Sequence, residues 1–73
     1  MYSAEQIREL IEAGLPDASV EVRGDDGAHF AALVVSPSFV GHSMIEQHRM
    51  VYATLGERMG NEIHALSLKT QTP

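Results

Sequence analysis

Ala18-Ser19-Val20-Glu21-Val22-Arg23-Gly24-Asp25-Asp26-Gly27-Ala28-His29-Phe30-Ala31-Ala32-Leu33-Val34-Val35 decides the fold. Val20 and Val22 alternate with Ser19, Glu21 and Arg23, the period-two mark of a strand with one wet face, which predicts a first strand over 18–23. Gly24 to Gly27 are residues that tolerate positive φ and solvate their own backbone, so the chain folds back as a hairpin. The return strand, 28–35, is apolar at both parities from Phe30 to Val35, as suits a central strand rather than an edge. Ser36-Pro37-Ser38 stops it.

Upstream, Ser3 and Gln6 have capping-box spacing, and Ile7, Leu10 and Ile11 recur at helical intervals until Gly14 and Pro16, predicting a first helix over 4–13. Downstream, Phe39-Val40-Gly41-His42 connects to a second capping box, Ser43 with Glu46. Met44, His48, Val51, Tyr52, Leu55 and Met59 then form one stripe, giving a second helix over 43–59 closed by Gly60-Asn61. Ile63 to Lys69 reads as a third strand, and the tail Thr70-Gln71-Thr72-Pro73 is expected to fray. The order α-β-β-α-β defines an α+β domain over residues 1–73. A helical crossover between the last two strands makes them parallel in a three-stranded mixed sheet, with the helices packed on one face.

Composition narrows the chemistry. Seventy-three residues form one small domain, burying only about 60% of the unfolded surface and leaving little room for a catalytic pocket. No apolar run approaches the roughly 20 residues of a bilayer span, so a soluble, cytosolic protein is expected. Five Lys/Arg against ten Asp/Glu give a net charge of −5, which disfavours phosphate backbones. With no cysteine, the chain has no disulfide, thiolate nucleophile or zinc finger, and any metal must use imidazole or carboxylate.

The histidines at 29, 42, 48 and 64 are therefore the residues to explain. Parallel pairing of the second and third strands brings their first residues to one rim, backbones about 4.8 Å apart, and His29 and His64 stand at those beginnings. Two neutral imidazoles there suit a borderline metal such as iron, zinc or copper. The plainer reading, open on the residues alone, is that His64 shares parity with Leu66 and Leu68 as a half-buried histidine while His29 caps the hairpin. His42 faces solvent. His48 reads as a boundary histidine whose ring packs and whose nitrogen reaches water, and Tyr52 as a core aromatic with a satisfied hydroxyl. Asp25-Asp26 is a solvated turn with too few ligands for calcium, and Ser36 and Ser43 serve turn or cap roles. Gln47-His48-Arg49 with Arg58 offers donors on a helix surrounded by Glu46, Glu57 and Glu62, an ordinary solvated face.

Three stretches, Ser36 to Ser43, His48-Arg49-Met50-Val51-Tyr52 and Ile63-His64-Ala65-Leu66-Ser67-Leu68-Lys69-Thr70, resemble the BolA family. The likeness covers about residues 29–72, and that family's fold, similar to a type II KH domain, has the element order derived above. The resemblance implies a non-enzymatic adaptor that forms a heterodimer with a monothiol glutaredoxin and shares a [2Fe–2S] cluster with it, the isolated chain holding none. Partner cysteine and glutathione would supply thiolates, and this chain imidazole, a mixed ligation known from Rieske centres. His64 matches the family's near-invariant histidine ahead of the last strand. His29 matches a variable position that other members fill with His or Cys in the loop between the first strands. The alternative branch is a DNA-binding transcriptional regulator using the second helix and preceding loop, with Arg49 and Arg58 as candidate contacts. Many members carry Arg-His-Arg where this chain has Gln47-His48-Arg49, which removes one cation from that helix. Weak self-association of the free chain stays open.

Overall fold

A computed structural model describes residues 2–24 and 26–73. The elements run α1 (Ala4–Gly14), β1 (Ser19–Arg23), β2 (His29–Val35), a 3-10 turn (Pro37–Phe39), α2 (Met44–Leu55), a second 3-10 turn (Gly56–Arg58) and β3 (Ala65–Gln71). The sheet order is β1-β2-β3, with β1 antiparallel and β3 parallel to the central β2. The mixed three-stranded α+β architecture is as expected, and no helix among the described residues is long and apolar enough to cross a membrane.

Both helices begin where the short-range signals put them. Ser3 Oγ accepts from the Gln6 amide while Gln6 Oε1 accepts from the Ser3 amide, and Ser43 and Glu46 repeat the exchange on α2. Each box satisfies two amide donors that a helix start otherwise leaves unpaired. Ile7 and Ile11 of α1 and Val51 and Leu55 of α2 are buried against Phe30, Ala32 and Val34 of β2, together with Phe39, Ile63 and Leu66. Gly14 lets the two helices approach closely, since a Cβ there would lie 2.5 Å from Thr54 Cγ2.

Several boundaries differ from the expectations. The second helix ends at Leu55 rather than 59, because Gly56 turns the chain at φ +57°, ψ −134°, and Met59 lies beyond the helix. Met44 is exposed and so leaves the buried stripe. The third strand starts two residues later and ends two residues later than predicted. Its end does not fray: Thr70 is buried, and its Oγ1 donates to Gln47 Oε1 at 2.7 Å. Gln71 pairs with Val35, its carbonyl accepting the Ser36 amide at 3.1 Å. β2 is central, as its apolar run implied, but only one of its faces is covered. Phe30, Ala32 and Val34 are buried, whereas His29 and Ala31 are exposed.

Ser36 ties the sheet to the α1–β1 turn. Its buried hydroxyl donates to Asp17 Oδ1 at 2.8 Å and accepts from the Ser38 amide at 3.0 Å, and the Ser38 hydroxyl donates to Asp17 Oδ2. Ser36 and Ser43 thus do the turn and cap work read from their positions.

Candidate histidine rim

The parallel β2–β3 ladder sets the arrangement of the rim. Cα partners run from His29 with Ala65 to Val35 with Gln71, and the Ala65 amide donates to the Ala28 carbonyl at 3.2 Å. His64 immediately precedes β3, so its backbone stands next to the first residues of β2. The ladder pairs His29 with Ala65, so His64 is the diagonal neighbour, one residue nearer the rim. Both histidines are exposed. The half-buried alternative for His64 is therefore not what is found: its parity matches Leu66 and Leu68, but it lies ahead of the strand and is exposed.

His64 reaches this point through a tight connection. Gly60, at φ +87°, allows its amide to donate to the Ile63 carbonyl at 2.8 Å, while the Ile63 amide donates to the Arg58 carbonyl at 2.9 Å. Ile63 is fully buried and anchors the residue beside it.

His29 is held from its own hairpin. Asp26 Oδ1 accepts from the amides of Ala28 at 2.9 Å and His29 at 2.8 Å, and Asp26 Oδ2 lies 2.8 Å from His29 Nδ1. The His29 amide first, then the Ala28 amide and the His29 ring, hold the Asp26 carboxyl well below the usual carboxylate range. An ionised carboxylate only accepts hydrogen bonds, so in this contact His29 Nδ1 is the donor. Asp26 does more than solvate a turn; Asp25, read with it, lies outside the described residues. An Asx-competent residue three positions before a histidine, with glycine between, is the signal in the sequence for this contact.

The other histidines do not join the rim. His42 Nδ1 lies 3.6 Å from Glu46 Oε1 at the start of α2. His48 is half-buried on α2, its Nε2 enclosed and unpartnered. Tyr52 is satisfied as read, its hydroxyl donating to the Leu66 carbonyl at 3.2 Å. Among the described residues no cluster of three or more His, Asp or Glu side chains is arranged to hold a metal. The backbone register places His29 and His64 at one rim with, among the described residues, no third ligand beside them, whereas a four-ligand iron site takes more.

The residues proposed for nucleic acid are differently disposed. Arg49 is exposed on α2. Arg58 lies past the helix end, and its Nε donates to the Tyr2 hydroxyl at 2.8 Å, which fastens the N-terminal segment. Gln47 is occupied by Thr70 and by the His42 carbonyl.

Comparison with known proteins agrees with this architecture. Residues 11–73 match the family model described as BolA-like protein. The chain is 36% identical to human BolA-like protein 1 over 92% of its own length and 56% of that protein's. It is 32% identical to the Escherichia coli DNA-binding transcriptional regulator BolA, covering 99% of this chain and 77% of the relative. The structure of a bolA protein homologue from Coxiella burnetii superposes with a TM-score of 0.88 at 46% identity, covering 100% of this chain and 94% of that one. The chain thus spans little more than half the length of some curated relatives it matches.

Proposed function

The chain belongs to the BolA-like protein family, and from that premise we propose that it is a non-enzymatic, cytosolic adaptor. It pairs with a monothiol glutaredoxin and carries one side of a shared [2Fe–2S] cluster through His64 and His29. The observation that supports this most directly is the parallel β2–β3 register, which sets the backbone of His64 beside the start of β2.

The donor set fits such a role. Both imidazoles are exposed, His29 meets Asp26 through Nδ1 rather than Nε2, and no thiol of this chain competes with the thiolates a partner and glutathione would bring. When bound, the cluster supplies one-electron chemistry and is itself the cargo passed on. This chain's part is to present neutral imidazole nitrogens from a rigid sheet. Ligation by histidine requires the unprotonated ring, so acid releases this side first. Two exposed ligands leave the site incomplete until a partner closes it.

Co-expression with a monothiol glutaredoxin, followed by visible absorption of the purified complex, tests the reading. The expected outcome is a coloured heterodimer from the wild type, loss or severe loosening of the chromophore with His64→Ala, an altered spectrum or lifetime with His29→Ala, and no change with His48→Ala. An unchanged spectrum after His64→Ala contradicts it.

A second reading draws on the name of the Escherichia coli relative, a DNA-binding transcriptional regulator. Here the net charge of −5 and the commitment of Arg58 to Tyr2 count against a phosphate-tracking face. Duplex binding that weakens steeply with salt and is lost on Arg49→Ala would favour the regulator over the adaptor.

A further inference from the structure

We propose that Asp26 is the positioning residue of the rim: it locks His29 in the Nδ1–H tautomer and so makes Nε2 the one ring nitrogen offered to a metal. This rests on the reading above that His29 is a ligand, and adds how the ligand is prepared.

The His29 side chain is 74% accessible, which leaves little packing to hold the ring. What orders it is the contact of Nδ1 with Asp26 Oδ2 at 2.8 Å. That oxygen cannot easily swing away, because its companion Oδ1 is engaged by two main-chain amides, of Ala28 and His29. The hairpin thus fixes the carboxylate, and the carboxylate fixes the ring. A carboxylate on the far nitrogen of a metal-binding histidine sets tautomer and orientation and raises ligand basicity, and losing such a partner costs about 10- to 100-fold in metal affinity.

Asp26→Asn separates this role from simple turn-making. Its Oδ1 still accepts from both amides, so the turn persists, but the group facing the ring becomes an NH2 donor. His29 Nδ1 must then accept, and the proton moves to Nε2, the nitrogen a metal needs.

The experiment uses the isolated chain labelled with 15N, with long-range ¹H–¹⁵N correlations of the histidine rings recorded at a pH where imidazole is neutral. The expected result is a protonated Nδ1 and bare Nε2 on His29 in the wild type, inverted in Asp26→Asn, with the Ala28 and His29 amide resonances retained. A wild-type His29 with Nε2 protonated overturns the proposal, and this arm stands even if the variant fails to fold. Zinc chloride is then titrated into both proteins. Zinc broadening or shifting the His29 Nε2 resonance at about 10- to 100-fold lower concentration in the wild type than in Asp26→Asn supports the role. Equal affinities after an inverted tautomer overturn it. A locked tautomer with no zinc response at His29 overturns instead the ligand assignment itself, and the positioning role with it. His29→Ala cluster loading in the glutaredoxin complex is a separate readout, so a failed lock and a failed ligand are told apart.

Discussion

Asp17 shows how much one exposed carboxylate does in a chain this short. Its two oxygens take the hydroxyls of Ser38 and Ser36, and these bonds, that of Ser38 foremost, hold its carboxyl below the usual range. Asp26 and Glu46 are lowered for a like reason, the latter chiefly by the Ser43 amide. The sign follows from linkage. A carboxyl depressed in the folded state contributes stability that is complete above its unfolded value, about 4, and is lost as pH falls through the folded value. Urea unfolding between pH 6 and pH 2 is therefore expected to show stability declining on the acid side. Asp17→Asn should flatten that decline while keeping the fold. A variant with the wild-type acid slope would mean that the serine bonds are no stronger in the native state than water is in the unfolded one. Ser36 and Ser38 were readable as turn residues from Pro37 between them, but their partner lies 19 and 21 positions upstream, where no local pattern points.

At the scale of elements, the connection after α2 decides where His64 emerges. Gly56 sits at φ +57°, ψ −134°, a region essentially closed to residues with a Cβ, yet nothing lies within 4 Å of where that Cβ would be. Gly56→Ala therefore isolates a backbone cost, with no steric contact to confuse it. The expectation is a loss of about 1–3 kcal/mol in urea or thermal unfolding. An unchanged midpoint would show that the turn relaxes freely. Here too the helical spacing in the sequence overruns the helix, which ends at Leu55. The apolar spacing from Val51 through Leu55 to Met59 continues past the break, because Met59 still packs on the core from a non-helical segment. Periodicity reports which side of the chain is apolar, whereas the stop depends on a glycine whose left-handed turn only the packed structure reveals. The two capping boxes and the central β2 were legible because a few consecutive residues carry each signal. The parallel pairing was legible because a helical crossover permits little else. The Asp26–His29 contact was within reach of the sequence but needed an Asx turn at a place read only as solvated.

For the molecule as a whole, the candidate site and the fold's fastenings occupy different ends of the sheet. His29 and His64 lie where β2 and β3 begin, while Ser36, Thr70 and Gln71 lie where those strands finish. A polar tail after Lys69 gives no sign in the sequence of being structural, because its burial comes from Gln47 and Met44 on α2, more than twenty positions away. Truncation makes the difference measurable. Removing Thr72 and Pro73, both exposed, should leave stability within about 0.5 kcal/mol of the full chain. Removing residues 70–73 deletes the buried threonine, strips two pairs from the β2–β3 ladder and takes away the Gln71 carbonyl that accepts the Ser36 amide. A buried donor left without its acceptor costs about 1–3 kcal/mol by itself, and a small domain has only roughly 5–15 kcal/mol in all. The longer truncation is therefore expected to lose at least about 2 kcal/mol, a large share of the total. His64→Ala, an exposed residue at the opposite rim, should unfold with the wild type to within about 0.5 kcal/mol. Urea midpoints of the three variants check this together. If His64→Ala were destabilised as much as the 70–73 deletion, the rim would belong to the fold's support, and a lost chromophore in that variant would no longer speak for ligation.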